Sequence, residues 1–446
     1  MTADPPSHRD WRLRPIPRWR AALLALAYAL ILVPLARTPH LSGNVFSRYM
    51  TVESIVERHT LRIDGSPLRA MSGSPDVVLV KGHWYSDKPP VLSALAAAIY
   101  APLVATDHRF HRSPIEFGLV NWVLVLTFSA FWSAVAVFGV RRMLQAADLP
   151  LWVSDLAALA FGLGSPLLTW AVTFNNHSVA AGLLMASGLL ALEADRRGST
   201  VYAAGAGFLA SLAATIDLPA GALWTALVGL ALASRFRRWN LPVAFALGTL
   251  APIAFHVVLQ MRITGSPLPV ELTPEVFDYE GSYWRTPEGR WVEPGPRWRW
   301  GIEFWFGPNG WITVLPSLAV GLYGLVRTVV RRGDPLRPAA VVVGTSVVVL
   351  SLFYTFGVRR TDFAGWSFGA RHMLAITPPV WAFAVIAASQ SRRGWLWAVL
   401  VPLLLVGALY AWVGQRDPWS RVERRPDPEL RWVRPLTLDR QTQYQR

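Results

Sequence analysis

The sequence predicts an all-α integral membrane protein that crosses the bilayer about eleven times, with a long first outer loop carrying interfacial helices. Three observations lead there. Of 446 residues 53% are hydrophobic and only 16% charged, against roughly a quarter charged in an ordinary soluble domain. The apolar residues form uninterrupted runs such as "AALLALAYALILVPLA" and "AVLVPLLLVGALYAWV", without the polar stripe of an amphipathic soluble helix. The arginines behind the net charge of +15 sit in short clusters at the ends of those runs.

Taken in order, residues 1–20 are a basic stretch, read as cytoplasmic, in which Arg9, Arg12, Arg14, Arg18 and Arg20 precede an apolar run from Ala21. This has the outline of a signal peptide, but "PLARTPHLSG" is a poor cleavage site, so 21–38 is read as an uncleaved first span. Further spans are expected at 117–140, 151–173, 176–194, 200–216, 218–234, 241–262, 309–328, 338–356, 371–389 and 394–414, which closes a membrane domain over 21–414. The run Val91–Ala105 is different: about 15 residues fall short of the ~18 that cross a bilayer core of ~30 Å.

Charge decides its course. If 91–105 does not cross, Arg141-Arg142, Arg196-Arg197, Arg235-Arg237-Arg238, Arg331-Arg332 and Arg392-Arg393 all share the side of the basic N-terminus. If it crosses, all five clusters land opposite, against the retention of basic residues in the cytoplasm. It is therefore read as lying in or re-entering the outer interface. The loops 39–116, 263–308 and 357–370, the junction Asn175-Asn176-His177 and the turn at Asp217 then gather on the outer face, joined by the mixed-charge tail 415–446.

Several classes drop out. Arginines placed at span ends are topological, and the tryptophans suit the headgroup level, so nucleic-acid binding is not expected. The absence of cysteine removes disulfides, thiolate metal sites and cysteine nucleophiles. No His/Asp/Glu spacing reads as a metal site, no Gly-rich loop as a nucleotide site, and no fixed-period repeat is visible, so no cofactor is expected.

The most informative segment is "GHWYSDKPPVLSAL", residues 82–95. Pro89 and Pro90 end the preceding chain and suit the first turn of a helix, which puts Asp87 and Lys88 at its mouth. A lysine beside a helix N-terminus can seat a phosphate; the alternative is a lysine that snorkels to headgroups. His177 stands at a helix start, available to a sugar hydroxyl or phosphate or else a local cap. Asp217, an acid at membrane depth, is a functional candidate or an N-cap for the next helix. Glu53 and Glu57 share a helix face and either flank an acceptor or form a solvated face. The Arg/Trp/Gly-rich segment 284–311 suits either sugar stacking or the membrane interface.

An aromatic-x-x-Lys-Pro-Pro before an apolar helix, some forty residues after "SRY", resembles the first outer loop of the GT-C superfamily, the polyprenyl-phosphate-dependent glycosyltransferases that include protein mannosyltransferases and bacterial aminoarabinose transferases. "SRYMTVESIVERHTLRID" at 47–64, "TFNNHSVAAGLL" at 173–184, "GFLASLAATIDLP" at 207–219, "RITGSPL" at 262–268 and "GWSFGARHMLAITPP" at 365–379 resemble further family segments in the same order. The resemblance implies a sugar donor linked through phosphate to a polyprenyl chain, with Lys88 and then Arg371 as phosphate ligands. Arg48, Glu53, Glu57, His177 and Asp217 are the remaining substrate-binding candidates. The family's general base is an acid a few residues before the arginine of "SRY"; here Asn44, Val45 and Phe46 stand there, and an amide cannot take a proton. Asp64 and Asp87 are the expected substitutes among the outer carboxylates, which also include Asp76.

The expected function is thus metal-independent, inverting transfer of a sugar to a glycan, lipid or protein acceptor at the outer face. The arginine-rich, cysteine-free composition suggests a bacterial inner membrane. The alternatives are a lipid or solute transporter and a non-catalytic binding homologue, the latter favoured by Asn44.

Overall fold

The computed structural model describes residues 18–234, 238–286, 295–358, 367–391 and 394–419. The basic stretch before Arg18, Arg235, Arg237, Arg392 and Arg393, residues 287–294 and 359–366 of two expected outer loops, and the tail from Ser420 lie outside the described residues.

Helix α1 (Arg18–Leu35) leads to the segment expected outside: α2 (Gly43–Arg58), α3 (Pro67–Ser72), a hairpin of β1 (Val77–Val80) and β2 (His83–Ser86), and α4 (Pro90–Ala105). Next, α5 (Pro114–Val125) and α6 (Phe131–Ala146) join through a π-helical step into one rod of 33 residues. There follow α7 (Leu151–Leu163), α8 (Pro166–Ala171), α9 (Asn176–Arg197), α10 (Thr200–Ile216), α11 (Leu218–Ala233) and α12 (Asn240–Ile263). The chain ends with α13 (Arg297–Phe306), α14 (Trp311–Val314), α15 (Leu318–Val330), α16 (Arg337–Leu352), a 3-10 turn Arg371–Ile376, α17 (Thr377–Ser389) and α18 (Trp395–Gly414).

Among the described residues the eleven expected spans resolve into six full-length apolar rods, one bent pair and four shorter apolar helices. The rods are Pro114–Ala146, Asn176–Arg197, Asn240–Ile263, Arg337–Gly357, Arg371–Ser389 and Trp395–Gly414. The segment expected to cross at 309–328 is bent by 96° between α14 and α15, because Pro316 forces Leu315 out of the helical region. The span expected at 151–173 is likewise broken at Gly164: Ser165 accepts from Leu167 N, and Pro166 opens α8. Exposed Val243, Leu247, Leu250 and Val258 on α12, with Val401, Leu405 and Leu409 on α18, would be untenable in water. The chain is a multi-pass helical membrane protein.

Small residues set the tightest helix contact. A Cβ on Gly207 of α10 would lie 2.0 Å from Phe245 O of α12, and one on Gly248 of α12 would lie 2.0 Å from Ala204 O of α10. Such backbone approach is how helices associate in lipid, where apolar side chains gain nothing by leaving their surroundings.

The described basic clusters gather at one end of the bundle. Asp155 of α7 binds Arg141 of α6 and lies 3.8 Å from Arg20 of α1, while Arg238 reaches Asp195 O and Arg331 reaches Gln390. The segment between α1 and α5 caps the other end. There α4 lies along α2, and the chain after it returns to α2 through Arg109 and His111, both bonded to Glu57. Trp122 of α5 donates to Val33 O near the end of α1, so α5 starts from this same end.

Candidate functional site

The hairpin, which sequence patterning missed, does the positioning. Lys81 and Gly82 both take positive φ, 51° and 79°, the backbone of a two-residue type I′ turn. Pairing Val77 with Ser86 then sets Asp76, just before β1, opposite Asp87, just after β2. Both carboxylates grip the Lys88 ammonium, at 3.3 Å from Asp76 and 3.0 Å from Asp87. Ser47 of α2 donates to Asp76 O at 2.6 Å and shares a hydrogen bond with Ser86, so the hairpin end is pinned to α2. Pro89 and Pro90 open α4 directly after Lys88.

Arg48 rises from α2 one turn above Asn44 and is 1% exposed. Its guanidinium bonds the Asn44 side chain and carbonyl and donates to Asn176 Oδ1 at 2.9 Å. Both side-chain partners are neutral amides, and among the described residues Nε has none. Burial pulls this guanidinium down to about 10, against the opposing fields of Asp87 and Asp76. Asp87 is also under-satisfied: Oδ2 holds Lys88, Oδ1 is buried without a partner, and burial pushes the carboxyl up.

Glu271, absent from the sequence expectations, joins this group from a 3-10 turn at Val270–Leu272. Val270 anchors the turn by packing with Val78, Val80 and Tyr85 of the hairpin. The Glu271 side chain is open to solvent on one side with protein crowded round it on the other; desolvation, reinforced by Asp87, raises its carboxyl to about 7. Asn44, Asp76, Lys88, Asn176, Arg371 and His372 are all partly accessible, so this polar group is not closed off from the surface.

The rest of the group comes from the spans. Asn175 caps α9 by accepting from Ser178 N, so His177 is not the cap. His177 Nδ1 instead meets Asp217 Oδ2 at 2.7 Å, and Asp217 makes no side-chain cap to α11. The His177 ring meets that of His372 edge-on at 5.2 Å, and His372 stacks on Tyr354 at 4.9 Å. Arg371 lies over the Trp419 ring at 5.3 Å, and its charge is felt at Arg48 and His177.

Lys88, Arg48, Asp87, Arg371, His177 and Asp217 are thus brought together, whereas Asp64, Glu53 and Glu57 are not. Asp64 holds the hairpin's far end, accepting from Trp84 N at 3.1 Å and facing His83 at 3.5 Å. Glu53 binds Arg58 and Ser66, and Glu57 binds Tyr100, Arg109 and His111. Burial alone would raise Glu57, but these bonds and charges hold it below the ordinary carboxylate range. Glu53, Glu57 and His111 lie close enough to share a cation, yet every one of them is engaged by side chains of this chain. A further cavity of roughly 720 Å³, counting its open mouth, lies among Met143, Met185, Trp224, Val228 and Val343. It is apolar, holds none of these groups, and occupies the half of the bundle with the basic clusters.

No protein-family model matches the chain, and no curated protein matches it. Among solved structures it is similar to the crystal structure of ArnT from Cupriavidus metallidurans in the apo state, at 18% identity and a TM-score of 0.44. That alignment covers 88% of this chain and 63% of the other, so the chain spans under two thirds of that protein's length.

Proposed function

We propose that this polar group binds a polyprenyl-phosphate-linked sugar and that the protein transfers this sugar to a hydroxyl acceptor at the membrane surface. The observation that carries the reading is Arg48. A guanidinium 1% exposed and bonded, among the described residues, only to the side chains and carbonyl of two asparagines lacks there the direct anionic partner that a buried charge requires. Lys88, at the mouth of α4, and Arg48 both act on the Asp87 carboxylate, and Arg371, felt at Arg48 and at His372, supplies a third cation. Three cations converging beneath an apolar bundle suit a phosphate diester whose lipid chain stays in the bilayer, and the partly accessible Asn44, Asn176 and Glu271 suit sugar hydroxyls.

Transfer breaks the bond between the anomeric carbon and the phosphate oxygen while the acceptor oxygen attacks that carbon. The electron pair leaves on the polyprenyl phosphate, where charge develops and where fixed cations act in a poorly solvated site. Asp76 and Asp87 hold Lys88 in place, and Asp64, at the far end of the hairpin, takes no part. The site faces outward from a bacterial inner membrane on this reading.

The test is transfer from polyprenyl-phosphate sugars carrying radiolabelled hexoses or pentoses to a total membrane extract, using the purified full chain. Wild type transfers at least one sugar, and Lys88→Ala and Arg48→Gln each lose about 100-fold or more. Equal transfer by Lys88→Ala and wild type contradicts the reading.

A further inference from the structure

The position that the resemblance assigns to a general base holds no carboxylate, and the nearest side chain, Asn44, is spent on Arg48. A hydroxyl acceptor still has a proton to lose. We propose that His177, oriented by Asp217, takes it; this inference rests on the transfer reading above and supplies its missing step.

Two spans meet to make the pair. His177 opens α9, whose cap is provided by Asn175, and Asp217 stands at the break between α10 and α11. The 2.7 Å contact joins Nδ1 to a carboxylate 3% exposed, which fixes the tautomer: Nδ1 carries the hydrogen and donates it to Asp217. Nε2 is then the acceptor, and among the described residues it takes no hydrogen bond, while the residue as a whole is 6% exposed.

The pair borders the proposed phosphate site. Asn176, the residue before His177, accepts from Arg48 at 2.9 Å, and His372 packs edge-on against the His177 ring at 5.2 Å. Trp170 packs on another edge at 6.3 Å, which leaves the imidazole little freedom to turn. The charged and titratable groups that face His177 are Asp217 on the α10–α11 break, Arg371 and His372 on the 3-10 turn, and Arg48 on α2, with Tyr354 beyond His372.

The step balances. As the acceptor oxygen bonds the anomeric carbon, its proton passes to His177 Nε2 and the polyprenyl phosphate departs with the bonding pair. Asp217 stays ionised opposite the imidazolium. The proton then leaves His177 to solvent or to the departed phosphate. His177 is the catalytic group and Asp217 the positioning residue.

The experiment compares His177→Gln, Asp217→Asn and Asp217→Glu with wild type in two assays: binding of undecaprenyl phosphate, and the pH profile of radiolabelled sugar transfer. Binding checks that each variant is folded with its cation site intact. The expected result is undecaprenyl phosphate binding within about twofold for all, transfer lower by about 100-fold for His177→Gln with loss of the acid limb, a fall in kcat rather than a rise in KM for Asp217→Asn, and partial rescue by Asp217→Glu. Transfer by His177→Gln within about threefold of wild type, with the acid limb unchanged, overturns the role of His177 while leaving the transfer reading in place. Absence of transfer by the wild type overturns both. If His177→Gln fails to bind undecaprenyl phosphate, the Asp217 pair decides: equal pH profiles and kcat for Asp217→Asn and wild type overturn the inference.

Discussion

Helix α2 serves two acid clusters that differ in one respect. Around its second half, Glu53 and Glu57 are saturated by Arg58, Ser66, Tyr100, Arg109 and His111. Around its first half, Asp76, Asp87 and Glu271 share Lys88 and the field of Arg48, leaving Asp87 Oδ1 and Arg48 Nε without partners. Both clusters are polar, both lie at the same end of the bundle, and both tie together the segment between α1 and α5. The difference teaches that burial of charge is not itself a sign of function: the saturated cluster is a clasp, and the unsaturated one has bonds left to give.

The comparison breaks most sharply at Lys88. Lys88→Ala lowers transfer by about 100-fold or more, whereas Glu57→Gln leaves transfer per folded molecule at the wild-type level, as radiolabel assays on matched amounts of folded protein would show. Stability should invert that order. Glu57→Gln removes the charge and one of the two acceptor oxygens that hold Tyr100 of α4 and Arg109 and His111 of the loop after it, and costs about 1–3 kcal/mol in detergent unfolding measurements.

The two clusters also answer pH in opposite senses. Glu57 is held below its ordinary value of 4.5, so its contribution is present above that pH and lost as pH falls through the folded value. Glu271 is raised to about 7, so what it contributes is complete below 4.5 and lost as pH rises through 7. Glu271→Gln should therefore flatten the loss of thermal stability between pH 5 and about 8, and Glu57→Gln the loss below 4.5. The smallest effect is expected at Asp64, 37% exposed and bonded, among the described residues, only to β2: Asp64→Asn should cost under about 1 kcal/mol and leave transfer unchanged. A transfer defect in Asp64→Asn would move the chemistry to the hairpin's far end.

Much of this was readable in the sequence where a local rule sufficed. The helices α9, α10, α11 and α12 fall within a residue or a few of the expected runs, because an apolar stretch flanked by arginine or by Asn-His and Asp-Leu-Pro can do little else. Lys88 before two prolines pointed to the mouth of a helix, and it stands there. What was missed depends on tertiary closure. The hairpin is two strands of four residues, and its turn residue Lys81 is not a usual occupant of positive φ, so only the pairing of Asp76 with Asp87 reveals its purpose. Glu271 carries no motif, and its place follows from Val270 packing against that hairpin. The His177–Asp217 contact joins residues 40 apart, each of which had a sufficient local explanation as a cap. Only the fold shows that Asp217 makes no side-chain cap to α11.

The most direct test of the account is binding of undecaprenyl phosphate, without any sugar, to the full chain in detergent, compared across wild type, Lys88→Ala, Arg48→Gln and Glu57→Gln. The account predicts saturable binding by wild type and Glu57→Gln and its loss in Lys88→Ala and Arg48→Gln. Equal binding by all four proteins would show that the unsaturated cluster is not a lipid-phosphate site and would contradict the central claim.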